Sequence, residues 1–167
     1  MATPTNLPTA FVAGDILTAA NMNLIRGGFR VLQVVYNYTT TSTTESLSVF
    51  SDTTLTATIT PQFNTSKILV IVNQNGCLKS VGHANSALNL KLLRGSTNIG
   101  NFCTAGGYTA TSIDNIFGGV GVTVLDAPAT TAATTYKTQM QNQQASAAVY
   151  TQFSSAISTI VLMEISA

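Results

Sequence analysis

From Phe29 onward, apolar side chains recur mainly at every second position, and this constrains the fold more than any other feature of the sequence. "TLTATIT" (54–60) alternates Leu55, Ala57 and Ile59 with four threonines. "TTYKTQMQN" (134–142) sets Tyr136, Thr138 and Met140 against Lys137, Gln139 and Gln141. Successive side chains point to opposite sides of a strand, so a period of two with one apolar set predicts a half-buried strand. The period also predicts strands over "FRVLQVVYNY" (29–38), apolar at Leu32, Val34, Tyr36 and Tyr38 with further apolar residues on the other face, and "ALNLKLLRG" (87–95), while "KILVIVNQNG" (67–76) and "AISTIVLMEIS" (156–166) read as near-continuous apolar strands. In 87–95, Leu88, Leu90 and Leu92 share a face. "NIFGGVGVTVLD" (115–126) has the strand pattern interrupted by glycine, which predicts a bend or bulge. Turn-rich stretches at 39–46, 60–66, 77–86 and 127–135 separate these runs. Seven or eight strands so spaced predict an all-β fold, an antiparallel β-sandwich or jelly roll.

The surface of such a sandwich is unusual here. Only 8% of the 167 residues are charged, against about 25% in ordinary soluble domains. Threonine (27), serine (14) and asparagine (13) take their place. Few charges would be desolvated if copies of the chain met, and interface cores are depleted of charge. This surface and the glycine-bent strands predict self-association, as a homotrimer. A net charge of +1 argues against a basic nucleic-acid binder. The longest apolar runs, "ILVIV" (68–72) and "IVLM" (160–163), fall far short of the ~20 residues of a membrane span. No secretory pattern opens the sequence, so a soluble protein made in a cytoplasm is expected. Cys77 and Cys103 have no metal-type spacing and are expected to be buried free thiols.

One stretch breaks the period. Residues 1–10, "MATPTNLPTA", read as an extended arm. "FVAGDILTAANMNLIRGG" (11–28) has helical spacing, a cap at Thr18 or Asp15 and a stop at Gly27-Gly28. A helix this short is marginal alone and has to dock on something. The expected division is therefore an arm and helix over 1–28 and a sandwich over 29–167.

Side chains for chemistry are scarce. His83 is the only histidine, in the polar loop "SVGHANS", and no G-x-S-x-G elbow accompanies it. The acids Asp15, Glu45, Asp52, Asp114, Asp126 and Glu164 are dispersed, mostly at strand ends. Glu164, inside the last apolar strand, is expected either to pair with Arg30 or Lys67 or to face outward. Tyr36, Tyr38 and Tyr136 read as sheet-face packing. Neither metal clusters nor a phosphate-binding loop can be assembled, because "FGGVGV" (117–122) lies within a strand pattern rather than before a helix. The expectation is a non-enzyme without cofactor or metal.

The segment at 11–23, through Phe11, Val12, Ala13, Gly14, Asp15, Leu17, Thr18, Ala19, Ala20, Met22 and Asn23, resembles the T-(F/W)-V-A-G-(E/D)-x-L-T-A-A-x-(L/M)-N segment of small virion structural proteins of tailed bacteriophages. "FSDTTLTATITPQFNTSKILVIVNQNG" (50–76) resembles a T-D-x-x-L-(S/T)-A-T-I-T-P-x-x-x-(T/S)-S-K-I-L-V hairpin of the same group, and "LKLLRGSTNIG" (90–100) and "STIVLMEISA" (158–167) are similar too. The resemblance covers well over half the sequence. It implies a virion-located structural protein with a β-sandwich body, commonly trimeric, in a tail fibre, a tail tip or a capsid decoration. The absence of a long repetitive shaft favours a short fibre, a tip or a decoration protein. On this reading Phe11, Val12, Ile16, Leu17, Leu24 and Ile25 attach the chain to other virion proteins; alternatively the helix covers one end of its own sandwich. A receptor-recognition module for host surface glycan is the other function class.

Overall fold

A computed structural model describes residues 30–166. The strands run in chain order as β1 (Val31–Thr39), β2 (Thr43–Glu45), β3 (Ser51–Ile59), β4 (Lys67–Lys79), β5 (Leu88–Arg94), β6 (Thr97–Gly106), β7 (Asn115–Asp126), β8 (Thr134–Asn142), β9 (Val149–Thr151) and β10 (Ser158–Ile165). All pairings are antiparallel. One sheet carries β1-β10-β4-β9-β2 with β7 along the other side of β4, and the second is β3-β8-β5-β6. The fold is an all-β sandwich. The expected N-terminal helix lies outside the described residues.

Alternation builds the core. Leu55, Ala57 and Ile59 from β3, Leu92 from β5 and Tyr136 from β8 meet Ile68, Val70, Val72, Ile160 and Leu162 from the facing sheet. A second cluster joins Cys77, Leu88, Leu90, Met140 and Val149. Each large side chain buried this way contributes roughly 1.5–3 kcal/mol. Along the edge where the sheets meet, β1 covers β3. Asn37 Nδ2 donates to Thr56 O at 2.7 Å, and Gln33 Nε2 to Thr60 O at 2.7 Å. These amides occupy carbonyls that an open edge would offer to another strand.

Two expectations need correction. Residues 50–76 are not a hairpin, because β3 pairs with β8 and β4 with β10 and β7, in opposite sheets. Both strands present apolar faces of the same length, and facing each other across the core buries both; a hairpin would set them side by side. The loop at 60–66 crosses between the sheets, and Glu164 holds it. Glu164 neither pairs with Arg30 or Lys67 nor faces outward. It is buried, and its carboxylate accepts from Gln33 Nε2 (2.6 Å), Gln62 N (2.8 Å) and Phe63 N (3.3 Å).

The glycine-broken strand is irregular where expected. β4 and β7 lose register between Asn75 and Leu78, opposite Gly118, whose φ is +84°. Gly121 and Gly119 lie opposite Asn73 and Asn75, whose side chains occupy the space a methyl group would need. At the same level β4 changes partner, from β10 up to Asn73 to β9 from Leu78.

Candidate functional site: the two outer faces of the sandwich

The acids singled out in the sequence are engaged one by one rather than assembled. His83 sits in the turn after β4, half-buried, its Nδ1 accepting from Asn85 N at 3.0 Å. Glu45 accepts from the amides of Ser46 and Leu47, and Asp114 from Val81 N. Asp126, on β7, accepts both bonds of an Arg94 guanidinium nitrogen from β5 (2.8 and 2.7 Å) and the Tyr136 hydroxyl from β8 (2.6 Å). That trio bolts one sheet to the other. Among the described residues no three His, Cys, Asp or Glu side chains gather as a metal site. Phe11, Val12, Ile16, Leu17, Leu24 and Ile25, the attachment residues expected from sequence, lie outside the described residues, as does Asp15.

Lys79 has a role that its place in the sequence does not announce. It is buried, and its ammonium donates to Thr109 Oγ1 and Thr111 O, both at 2.6 Å. It ties the end of β4 to the loop before β7. Its only sequence signal was a lysine at the end of an apolar run, and that pattern usually marks a solvated strand end.

Cys77 and Cys103 are free; Cys77 is fully buried and Cys103 is partly exposed. Burial, then the neighbouring Cys103, push the Cys77 thiol up to about 12. Burial, then the carboxylate of Asp126, push the Tyr136 phenol well above its ordinary value. A pKa raised by folding stabilises the fold below the group's ordinary value, and that stabilisation fades as pH climbs towards the folded value. The ordinary values are roughly 8.5 for cysteine and 10 for tyrosine. From neutral pH the denaturant midpoint should therefore hold constant to about pH 8.5 and fall beyond it. Cys77→Ala should remove the first part of that fall. A midpoint flat to pH 11 would contradict this account.

What distinguishes the molecule is the contrast between its two outer faces. The outer face of β3-β8-β5-β6 is polar. Lys137 Nζ is 2.6 Å from Asp52, Gln139 donates to the same carboxylate at 2.6 Å, and Lys91 lies 4.0 Å from the Phe50 ring centroid. A shallow hollow there is lined by Lys91, Ser96, Thr135, Lys137 and Gln139 among others.

The opposite face is apolar in registered rows. One row runs Val34–Met163–Leu69–Leu125 across β1, β10, β4 and β7, and the next runs Tyr36–Val161–Ile71–Thr123. A third row, Tyr38–Thr159–Asn73–Gly121, turns polar. Val34, Tyr36, Tyr38 and Leu125 are 54–57% exposed. Tyr36 and Tyr38 thus do lie on a sheet face, stacked at 6.1 Å, but on the outside, whereas Tyr136 is in the core. On β1 alternation points the wrong way: the apolar set Val34, Tyr36 and Tyr38 faces out, and Gln33, Val35 and Asn37 face in.

No protein-family model matches the sequence, and no curated protein matches it. Among solved structures, the chain is similar to the VP2 subviral particle of infectious bursal disease virus. The TM-score is 0.41 at 10% identity, over 81% of this chain and 39% of VP2. The chain therefore spans about two fifths of the length of that viral protein.

Proposed function

We propose that the protein is a bacteriophage virion structural component, a short tail-fibre or tail-tip protein. Segment 1–28 attaches it to the particle, and the sandwich projects as a homotrimer. The observation that carries this reading is the ordered set of motifs at 11–23, 50–76, 90–100 and 158–167, which resembles small virion structural proteins of tailed phages. The sandwich gives the second motif a physical purpose. Its T-P-x-x-x-(T/S)-S-K stretch is the inter-sheet crossing held by Glu164. The apolar residues Ile16, Leu17, Leu24 and Ile25 are of value only when buried against a neighbour.

Quantifying the protein in purified virions tests the reading. A fixed copy number per particle is expected, and its location by labelling separates tail from capsid decoration. Leu24→Asp, which charges the docking segment, should fold as wild type yet be missing from particles. Normal incorporation of that variant would refute attachment through the segment. Glycan binding by a protein absent from particles would replace the reading with a carbohydrate-binding module.

A further inference from the structure

We propose that the outer face of β1, β10, β4 and β7 is the surface on which another copy of this chain docks. The inference deepens the self-association in the reading above and rests on it for the number of copies alone; the surface itself follows from the structure. Four registered strands carry two consecutive rows of Val, Leu, Ile, Met and Tyr with only Thr123 among them. A sandwich standing alone has its apolar residues on one face of each sheet and polar residues on the other. The β3-β8-β5-β6 sheet follows that rule along β3 and β8, with threonines, lysines and glutamines outside, and the one outward leucine of β5, Leu93, is itself buried. Its partner sheet breaks it.

Size and charge say what fits. Strand spacing and side-chain repeat give the two rows and their margins an area of roughly 300–400 Å². That equals the largest patch of a typical monomer and is about half of the ~800 Å² each partner commits to a stable interface. The patch is thus the size of an interface core, and its surround is of the kind that forms a rim: Tyr38, Thr159, Asn73 and Thr123 are polar and uncharged. Lys67, opposite Ile165 at one end, is the nearest charge on these strands' outward side. Two such faces meet without burying an ion, so the desolvation penalty that opposes charged surfaces is absent. Gathered about a threefold axis, each such face meets the faces of the other two copies, so one patch per chain closes a trimer. Each neighbouring copy supplies that surface, with exposed Tyr36 on the β1 edge of the patch, a residue type favoured where one end is apolar and the other wet.

The test is the mass of the full-length chain by light scattering after size exclusion at micromolar concentration. Wild type should run at three times the 17.4 kDa chain mass. Val34→Asp and Leu125→Asp replace side chains that are about half exposed, so the fold should survive; cooperative melting verifies that. Each should weaken association at least about 100-fold, leaving monomer. Gln139→Asp, on the polar face, should stay assembled. A 17 kDa wild type overturns the proposal, as does a Val34→Asp or Leu125→Asp protein that stays assembled. Dissociation by Ile16→Asp with no effect of either face variant would show that segment 11–25 makes the contact, which also overturns it. Absence from virions with the face variants still monomeric would refute the virion reading and leave the interface standing.

Discussion

Gly76→Ala is expected to destabilise the protein by about 3 kcal/mol or more, lowering the melting temperature by roughly 10 °C. Two independent penalties meet at this residue. Its φ of +63° lies in the left-handed region, where an L side chain costs roughly 1–2 kcal/mol. An added Cβ would also collide with Phe153 N and stand 2.8 Å from Gln152 C, both backbone atoms that do not rotate away. The closeness has a cause. Between Asn73 and Leu78, β4 exchanges β10 for β9, and the chain linking those two strands has to cross at that level. It does so as a tight turn, Gln152 N donating to Asn75 O at 2.8 Å and Asn75 Nδ2 to Ile157 O at 2.7 Å. Gln152, Ser154 and Ser155 adopt positive φ to make the crossing. Gly95 is the control. Its φ is +57°, but nothing lies within 4 Å of the added methyl, so Gly95→Ala should lose only about 1–2 kcal/mol. Equal losses at the two positions would show that the turn yields and that only backbone strain counts.

The strands whose inward face the sequence reveals are those in which one face is apolar and the other is not. β3, β5, β7 and β8 are legible for that reason, and the inward sets Leu55/Ala57/Ile59 and Tyr136/Thr138/Met140 are the observed ones. β6 is not legible, because three register shifts against β5 break its period and asparagine and glycine interrupt it. β2 and β9, at three residues each, are shorter than any pattern that alternation can define. The apolar outer face of the other sheet was hidden in a different way. Leu69 and Ile71, Val161 and Met163 read as parts of continuous apolar strands, and such runs ordinarily mean burial on both sides. Only pairing and register show that these residues line up in rows on the outside. The partner of Glu164 was equally hidden, since its donors are two backbone amides and a glutamine, none of which shows up in a charge pattern.

Glu164→Gln is expected to destabilise the fold by about 2–3 kcal/mol, although it changes one atom and no volume. The carboxylate receives three hydrogen bonds and donates none: Gln33 Nε2 on one oxygen, Gln62 N and Phe63 N on the other. An amide has one acceptor oxygen. If it serves the two backbone amides, its NH2 faces the NH2 of Gln33; if it serves Gln33, the loop amides meet donors. Either way buried donors go unmade. The loop concerned is the crossing that places β3 and β4 in opposite sheets, so the loss falls on the topology rather than on a surface contact. A pH signature separates this from a packing defect. Burial opposes ionisation of Glu164, but the hydrogen bonds from Gln33 and the loop outweigh it and hold the carboxyl below its ordinary value. A pKa lowered by folding contributes stability that is present above the unfolded value, about 4.3, and lost as pH falls through the folded one. Wild type should therefore lose stability below about pH 5, and Glu164→Gln should lose less over the same interval. The two denaturant midpoints, well separated at pH 7, should converge towards pH 3. Curves that stay parallel down to pH 3 would mean that the carboxylate charge does not hold the crossing.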